Sequence, residues 1–191
     1  MTAKIILVTG GARSGKSVFA EQYAKKLSAK VAYIATAQIY DEEMELRVDL
    51  HKKRRPTTWT TYEAPFHAEV SIKEAVENHE VILFDCITLY LSNLLLASSS
   101  TFSHNEKYDY ILKEFATLLD TVEECKANII FVTNEVGMGI VPENGLAREY
   151  RDFAGKINQF IAEKATKVFM VISGMGIDIK KLAMRLEEEN G

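Results

Sequence analysis

Residues 7–17 read Leu-Val-Thr-Gly-Gly-Ala-Arg-Ser-Gly-Lys-Ser, a G-x-x-x-x-G-K-[ST] loop set between a short apolar run and a helical pattern. Few local sequences constrain a fold as much, because such a loop works only where a β-strand feeds directly into a helix. Gly10 and Gly15 let the backbone curl until successive N–H groups point inward at the β- and γ-phosphates of a nucleotide. Gly11, Ala12, Arg13 and Ser14 lie between them, and Lys16 supplies a point charge. The Ser17 hydroxyl is the usual Mg²⁺ ligand, and the helix that starts there turns the positive end of its dipole toward the same anion. Chance supplies this pattern on the order of once per hundred chains of this length, so the rival reading is a glycine-rich turn with no ligand.

The rest of the chain agrees with a strand–loop–helix start. Apolar runs rich in β-branched residues recur at positions 4–9, 30–36, 81–85, 128–133 and 167–173, separated by segments long enough for crossover helices. That spacing predicts a mostly parallel sheet. Continuous runs such as Ile5-Ile6-Leu7-Val8 and Ile129-Ile130-Phe131-Val132 imply burial on both faces, with helices covering both sides. The fold class is therefore α/β, a P-loop NTPase of RecA-like type, with ligands gathering at the carboxyl ends of the strands. Helical periodicity is clear over 17–27, 108–125 and 145–164, and the serine-rich stretch 97–105 reads as a surface loop. At 191 residues and 47% hydrophobic content, the chain can bury one sizeable core, and residues 1–191 read as a single domain. The last residues, 186–191, read as an acidic fraying end.

A formal charge of −4 gives no global basic field for nucleic acid, so any polyanion site must be a local cluster. Cys86 and Cys125 are isolated, form no C-x-x-C pair and sit in apolar surroundings, which suggests buried thiols in a reducing compartment. No leader precedes the first strand pattern and no apolar stretch reaches the roughly 18 residues a membrane span needs. The expectation is a cytoplasmic protein.

Four further segments carry candidate chemistry. Val81-Ile82-Leu83-Phe84-Asp85 ends in a carboxylate after four apolar residues, the arrangement of a metal-binding strand in P-loop proteins. Alone, Asp85 reads equally well as the cap of a helix starting near Ile87; paired with the loop at 10–17, the Mg²⁺ role is preferred. Positions 41–56 read as a helix with acids at its start, bases at its end and Pro56 as its stop. On it Arg47, His51 and either Arg54 or Arg55 share one stripe. A histidine among cations is biased toward neutral imidazole, a nucleophile able to attack the α-phosphorus of a bound triphosphate while Arg47, Lys52 and Arg55 stabilise phosphate oxygens. The plainer reading is a solvated amphipathic helix with Met44 and Val48 inward. After the strand at 128–133, Asn134 and Glu135 lie at the expected ligand edge, with Glu135 either a substrate or metal-water contact or part of a turn freed by Gly137 and Gly139. Trp59 and Glu63 follow the basic helix, and they read either as base or ribose contacts or, for Trp59, as packing.

Taken together, these blocks resemble one family closely: the bifunctional adenosylcobinamide kinase/adenosylcobinamide-phosphate guanylyltransferases of cobalamin biosynthesis. The resemblance rests on residues 10–17, Ile34-Ala35-Thr36-Ala37-Gln38, Asp41 to Met44 leading into Arg47, His51, Arg55-Pro56 and Trp59, then Asp85-Cys86-Ile87-Thr88. It ends with positions 133–143 and Ala147-Arg148. It implies that His51 takes GMP from GTP and that residues 10–17, Ala35, Thr36, Ala37, Lys52, Lys53, Arg54, Arg55, Glu63 and Asp85 line the nucleotide site. It also implies a homotrimer. Residues 98–127 match only in helical character, and positions past 180 are not diagnostic.

The implied reaction has two steps on one corrinoid. The terminal hydroxyl of adenosylcobinamide is phosphorylated from GTP or ATP, with Lys16 and Mg²⁺ offsetting developing charge. His51 then carries GMP to adenosylcobinamide phosphate, giving adenosylcobinamide-GDP and pyrophosphate. The rivals are a plain P-loop kinase of a small alcohol, with no protein-bound nucleotide, and a nucleotide-dependent switch.

Overall fold

The structure, a computed structural model, describes residues 4–184 apart from positions 43, 45, 47, 49–51, 53, 54 and 99–101. Along the chain run β1 (Ile5–Thr9), α1 (Lys16–Leu27), β2 (Val31–Ala35), β3 (Thr60–Glu63), α2 (Ala68–Ala75), β4 (Val81–Asp85), α3 (Ile87–Ser98) and α4 (His104–Glu124). There follow β5 (Asn128–Val132), α5 (Gly145–Lys164), β6 (Lys167–Ile172), β7 (Met175–Asp178) and a 3₁₀ turn at Ile179–Lys181. Within the basic segment, Glu42, Met44, Leu46, Val48 and Lys52 are helical. His51, Arg47, Lys53 and Arg54 lie outside the described residues, as does the stretch 186–191.

The strands form one seven-stranded sheet in the order β3-β2-β4-β5-β1-β6-β7. Every pairing is parallel except β6 with β7. Because side chains alternate along a strand, each continuous apolar run feeds two cores. Ile5, Leu7, Ile34, Ile82, Phe84, Ile129 and Phe131 pack with residues of α2, α3, α4 and α5 on one face. Ile6, Val8, Val31, Tyr33, Val81, Leu83, Ile130 and Val132 pack with Ala20 and Ala24 of α1 and with Trp59 on the other. Helices do cover both faces, but unequally: four described helices on the first and α1 on the second.

The helix ends show why these segments stop where they do. Asn144 Oδ1 accepts from Ala147 N at 3.1 Å and starts α5. The expected loop over 97–105 is shorter than the sequence suggests. Helix α3 runs through Ser98, and Ser103 begins α4 by donating its N–H and its hydroxyl to Glu106 Oε2 at 2.8 and 2.6 Å. Serines that disfavour a helix interior serve at its boundary instead.

One element absent from the sequence reading shapes the site. Strands β6 and β7 are joined by Ser173 and Gly174, both at positive φ (52° and 82°), a two-residue turn matched to strand twist. This hairpin underlies the phosphate loop: Gly174 N donates to Ser14 O at 2.8 Å, and a Cβ on Gly10 would lie 2.5 Å from Val171 O. Gly10→Ala should therefore push the loop off β6, costing roughly 1–3 kcal/mol and lowering Tm by roughly 2–12 °C for a chain of this size. A Cβ on Gly11 meets nothing within 4 Å. Thermal unfolding of Gly11→Ala should match the parent, and equal losses in both variants would show that loop packing on β6 is not the cause.

Candidate nucleotide site

The sheet register brings the functional segments to one edge. Glu63 pairs with Ala35, Ala35 with Asp85, Asp85 with Val132, Val132 with Val8 and Val8 with Phe169. The carboxyl ends of β3, β2, β4, β5 and β1 thus stand level to within one residue, while β6 runs on to Ile172, and α1 starts from this same edge. Parallel α/β sheets bind ligands at this edge. A concavity of about 410 Å³, lined by Lys30, His79, Glu80 and Asn128 among others, opens instead at the amino-terminal ends of the strands.

Between β1 and α1, Arg13 (φ 57°) and Gly15 (φ 92°) adopt left-handed conformations, which turn successive N–H groups toward a common centre. Gly15 caps α1 without a side-chain hydrogen bond, and the first turn of α1 holds no acidic residue. The positive end of the helix is left for an external anion. Glu135 N donates to Gly10 O at 3.1 Å, strapping the β5 exit to the loop. The Glu135 carboxylate accepts from Gly137 N at 3.1 Å, so the turn reading holds for its side chain, while its backbone braces the loop. Trp59 is buried against α1 with Lys25 Nζ 5.9 Å from its ring, which makes it packing.

Lys16 Nζ donates to Gly11 O at 3.2 Å, lying back over the loop. Burial lowers its pKa from the usual lysine value, while Cys86 and Asp85 act in the opposite sense. Burial and the neighbouring Asp85 push the Cys86 thiol up to about 11, so it is neutral at physiological pH. The charge facing Lys16 there is Asp85.

Thr36 is fully buried. Its hydroxyl accepts from Cys86 N at 2.8 Å and donates to Cys86 O at 2.9 Å. Asn93 Nδ2 donates to Thr36 O at 2.8 Å and to Pro65 O at 3.0 Å. The exits of β2, β3 and β4 are thereby locked together, with Ala35 and Ala37 half-exposed on either side. On the β5 exit, the Thr133 hydroxyl donates to Asn158 Oδ1 at 2.7 Å. Lys52 and Glu63 pair at 3.7 Å, both largely exposed.

Arg55 comes to the same edge: its guanidinium carbon lies 3.3 Å from the centroid of the Tyr33 ring, and the Tyr33 hydroxyl donates to Asp85 Oδ2 at 2.8 Å. Buried polar atoms without a hydrogen-bond partner gather here: Thr9 Oγ1, Ser14 Oγ, Arg55 Nε and Nη1, and Asn134 Oδ1. Native interiors leave few such atoms, and their concentration at one edge marks a place where polar ligand atoms fit. Tyr33, Asn93 and Asn158 were not legible as site residues. Each sits within an apolar or helical stretch, and its polar tip acquires meaning only from a partner 24 or more positions away.

A phosphate loop opening onto an uncompensated helix end, with a strand-end carboxylate facing its lysine, defines a P-loop nucleotide-binding protein. A solved structure titled as a prototypical ATPase from the type III secretion system of pathogenic bacteria shares the fold. Its TM-score is 0.59 at 10% identity, covering 96% of this chain and 59% of that one.

The model of the family described as cobinamide kinase/cobinamide phosphate guanyltransferase (CobU) matches residues 6–179, and the chain belongs to that family. It is 44% identical over 182 residues to the bifunctional adenosylcobalamin biosynthesis protein CobU of Escherichia coli strain K12, covering 92% of this chain and 99% of the relative. It is 45% identical over 182 residues, with the same coverage, to the protein of that name from Salmonella typhimurium strain LT2. A third relative, the bifunctional adenosylcobalamin biosynthesis protein CobP of Pseudomonas aeruginosa, is 39% identical over 174 residues, 91% of this chain and 96% of that one. The protein is thus a bifunctional enzyme, a cobinamide kinase and cobinamide phosphate guanylyltransferase of cobalamin biosynthesis. No helix among the described residues is long and apolar enough to cross a membrane.

Proposed function

We propose that residues 1–191 form one nucleotide-binding and transferase domain that runs both reactions at the edge described above, the second through a GMP-histidine intermediate on His51. The observation that carries this is the meeting, at one sheet edge, of the loop at 10–17, Lys16, Asp85 and an Arg55 guanidinium whose Nε and Nη1 lack hydrogen-bond partners. All are groups that suit polyphosphate. Gly10 to Ser17 cradle the β- and γ-phosphates; Ala35, Thr36 and Ala37 supply the level backbone beside them; Lys52, Lys53, Arg54, Arg55 and Glu63 line the rest.

The donor set at Ser17 and Asp85 suits Mg²⁺. It offers one hydroxyl and one carboxylate, both hard oxygen ligands, and no cluster of three or more metal-ligating side chains occurs among the described residues. Mg²⁺ is commonly held by one or two carboxylates together with substrate phosphates rather than by a complete protein cage. When bound, it would neutralise charge on the phosphoryl oxygens.

In the first reaction the terminal hydroxyl of adenosylcobinamide loses its proton and bonds to the γ-phosphorus of GTP or ATP as the bond to the β-phosphate oxygen breaks, releasing GDP or ADP, and Lys16 stabilises the charge developing on the phosphate oxygens. In the second, a His51 ring nitrogen bonds to the α-phosphorus of GTP as the bond to pyrophosphate breaks. A phosphate oxygen of adenosylcobinamide phosphate then attacks the phosphoramidate, releasing His51 and forming adenosylcobinamide-GDP. The enzyme would act in the cytoplasm as a homotrimer. Exposed apolar side chains such as Met175, Ile177 and Leu182 beside the β7 edge are surface that an assembly would cover.

Incubation with Mg²⁺ and GTP labelled at the α-phosphate should leave protein-bound label that survives base and is lost in acid. His51→Ala should carry none. Absence of label from both proteins would instead mark a P-loop kinase without a covalent nucleotidyl intermediate.

A further inference from the structure

Tyr33 reads from the sequence as an ordinary core residue, and at 2% exposure it is buried. Its neighbours are not those of a core residue. On the ring face lies Arg55, with its guanidinium carbon 3.3 Å from the centroid. At the ring tip, the hydroxyl donates to Asp85 Oδ2 at 2.8 Å. Tyr33 and Asp85 lie on one sheet face as diagonal neighbours, since Tyr33 pairs with Leu83 and Ala35 with Asp85. One rigid side chain therefore touches both the basic segment after His51 and the carboxylate of β4.

Arg55 Nε and Nη1 are buried without a hydrogen-bond partner. Donors of a charged group withdrawn from water and left unpaired are strongly unfavourable, and a guanidinium held over an aromatic ring with N–H groups unpaired is suited to receive phosphate oxygens. The Tyr33 hydroxyl, donating to Asp85 Oδ2 at 2.8 Å, fixes one carboxylate oxygen so that the other has a defined direction.

We propose that Tyr33 is a positioning residue of the nucleotide site, its ring holding the Arg55 fork for a phosphate and its hydroxyl orienting Asp85 for a divalent cation. The inference rests on the nucleotide site proposed above and adds a residue that neither the motifs nor the family description singles out.

The two roles separate in two variants. Tyr33→Phe removes the hydroxyl and keeps the ring; Tyr33→Leu removes both. The probe is the α,β-methylene analogue of GTP, which cannot release pyrophosphate, titrated by calorimetry into the full-length protein at several Mg²⁺ concentrations and in EDTA. Tyr33→Phe should need about tenfold more Mg²⁺ for half-maximal tightening, the worth of one hydrogen bond to a charged group, with affinity in EDTA unchanged. Tyr33→Leu should in addition lose about tenfold in EDTA, the scale of a desolvated cation–π contact. Arg55→Ala should share that loss, with no further loss in the double variant.

Wild-type Mg²⁺ dependence in Tyr33→Phe would overturn the proposal while leaving the nucleotide site standing. So would an EDTA loss in Tyr33→Phe equal to that in Tyr33→Leu, which would make the residue merely structural. Failure of the wild type to bind the analogue in Mg²⁺ would instead overturn the nucleotide site itself. Tyr33→Phe is nearly isosteric, so the test stands even if Tyr33→Leu does not fold.

Discussion

His51→Ala is expected to lose guanylyl transfer by roughly 10³-fold or more, the scale seen when a covalent nucleophile is removed, while kinase activity persists. The reason is chemical. Phosphorylation of the corrinoid hydroxyl requires a positioned γ-phosphate and a charge sink, which Lys16 and the loop would provide in the proposed site without an imidazole. Guanylyl transfer by way of a phosphoramidate needs a nitrogen nucleophile, and alanine offers none. Assays supplied separately with adenosylcobinamide and with adenosylcobinamide phosphate would measure the two steps independently. Equal loss of both would mean that His51 is structural, or that the steps do not separate, and would remove the GMP-histidine route.

Lys16→Ala should lower both activities, each by roughly 10²–10³, the range for deleting one preorganised donor to developing charge in a site shielded from water. Lys16 is partly desolvated and faces Asp85, and burial makes its charge more effective on a phosphate than it would be in bulk water. Both reactions move charge onto phosphate oxygens held by the same loop, so one deletion should reach both. Lys16→Arg should not restore them: the lysine lies back on Gly11 O in a loop whose glycines abut Val171 O and Gly174. A planar guanidinium is not a substitute for a compact ammonium there. Retention of kinase activity in Lys16→Ala would place the γ-phosphate elsewhere.

Much of the fold was legible because its signals are local. The strands at 81–85, 128–132 and 167–172 are apolar runs interrupted by a polar residue only at one end, and α5 begins and ends where its periodicity indicates. The misses have equally local causes. Strand β3, Thr-Thr-Tyr-Glu, is largely exposed and carries no apolar alternation; it is a strand because the edge of β2 pairs with it over four residues. Strand β7 contains Gly176, which lowers strand propensity but lies against the Phe19 ring, where a Cβ would come within 2.3 Å. Helix α2 follows His67 at φ 50°, a start that no capping pattern announces.

The candidate site divides in the same way. The loop at 10–17 and Asp85 could be read directly, since glycine spacing and a carboxylate closing an apolar strand are patterns within one segment. Arg55 and Glu63 were read from the segment itself as phosphate and base or ribose contacts and given nucleotide-site roles by the family resemblance; the structure places Arg55 over Tyr33 but leaves Glu63 paired with Lys52 at the exposed rim.

The sequence by itself determined that this chain holds a nucleotide on a parallel α/β scaffold, because residue spacing sets backbone curl, helix polarity and side-chain alternation within a few residues. The tertiary structure decided which polar groups stand together at the edge proposed for that nucleotide. Strand order set β5 between the phosphate-loop strand and the Asp85 strand, the hairpin at 173–174 was set beneath the loop, and Tyr33 was joined to a carboxylate 52 positions away. Such pairings depend on register and burial across the sheet, which no local pattern in the chain encodes.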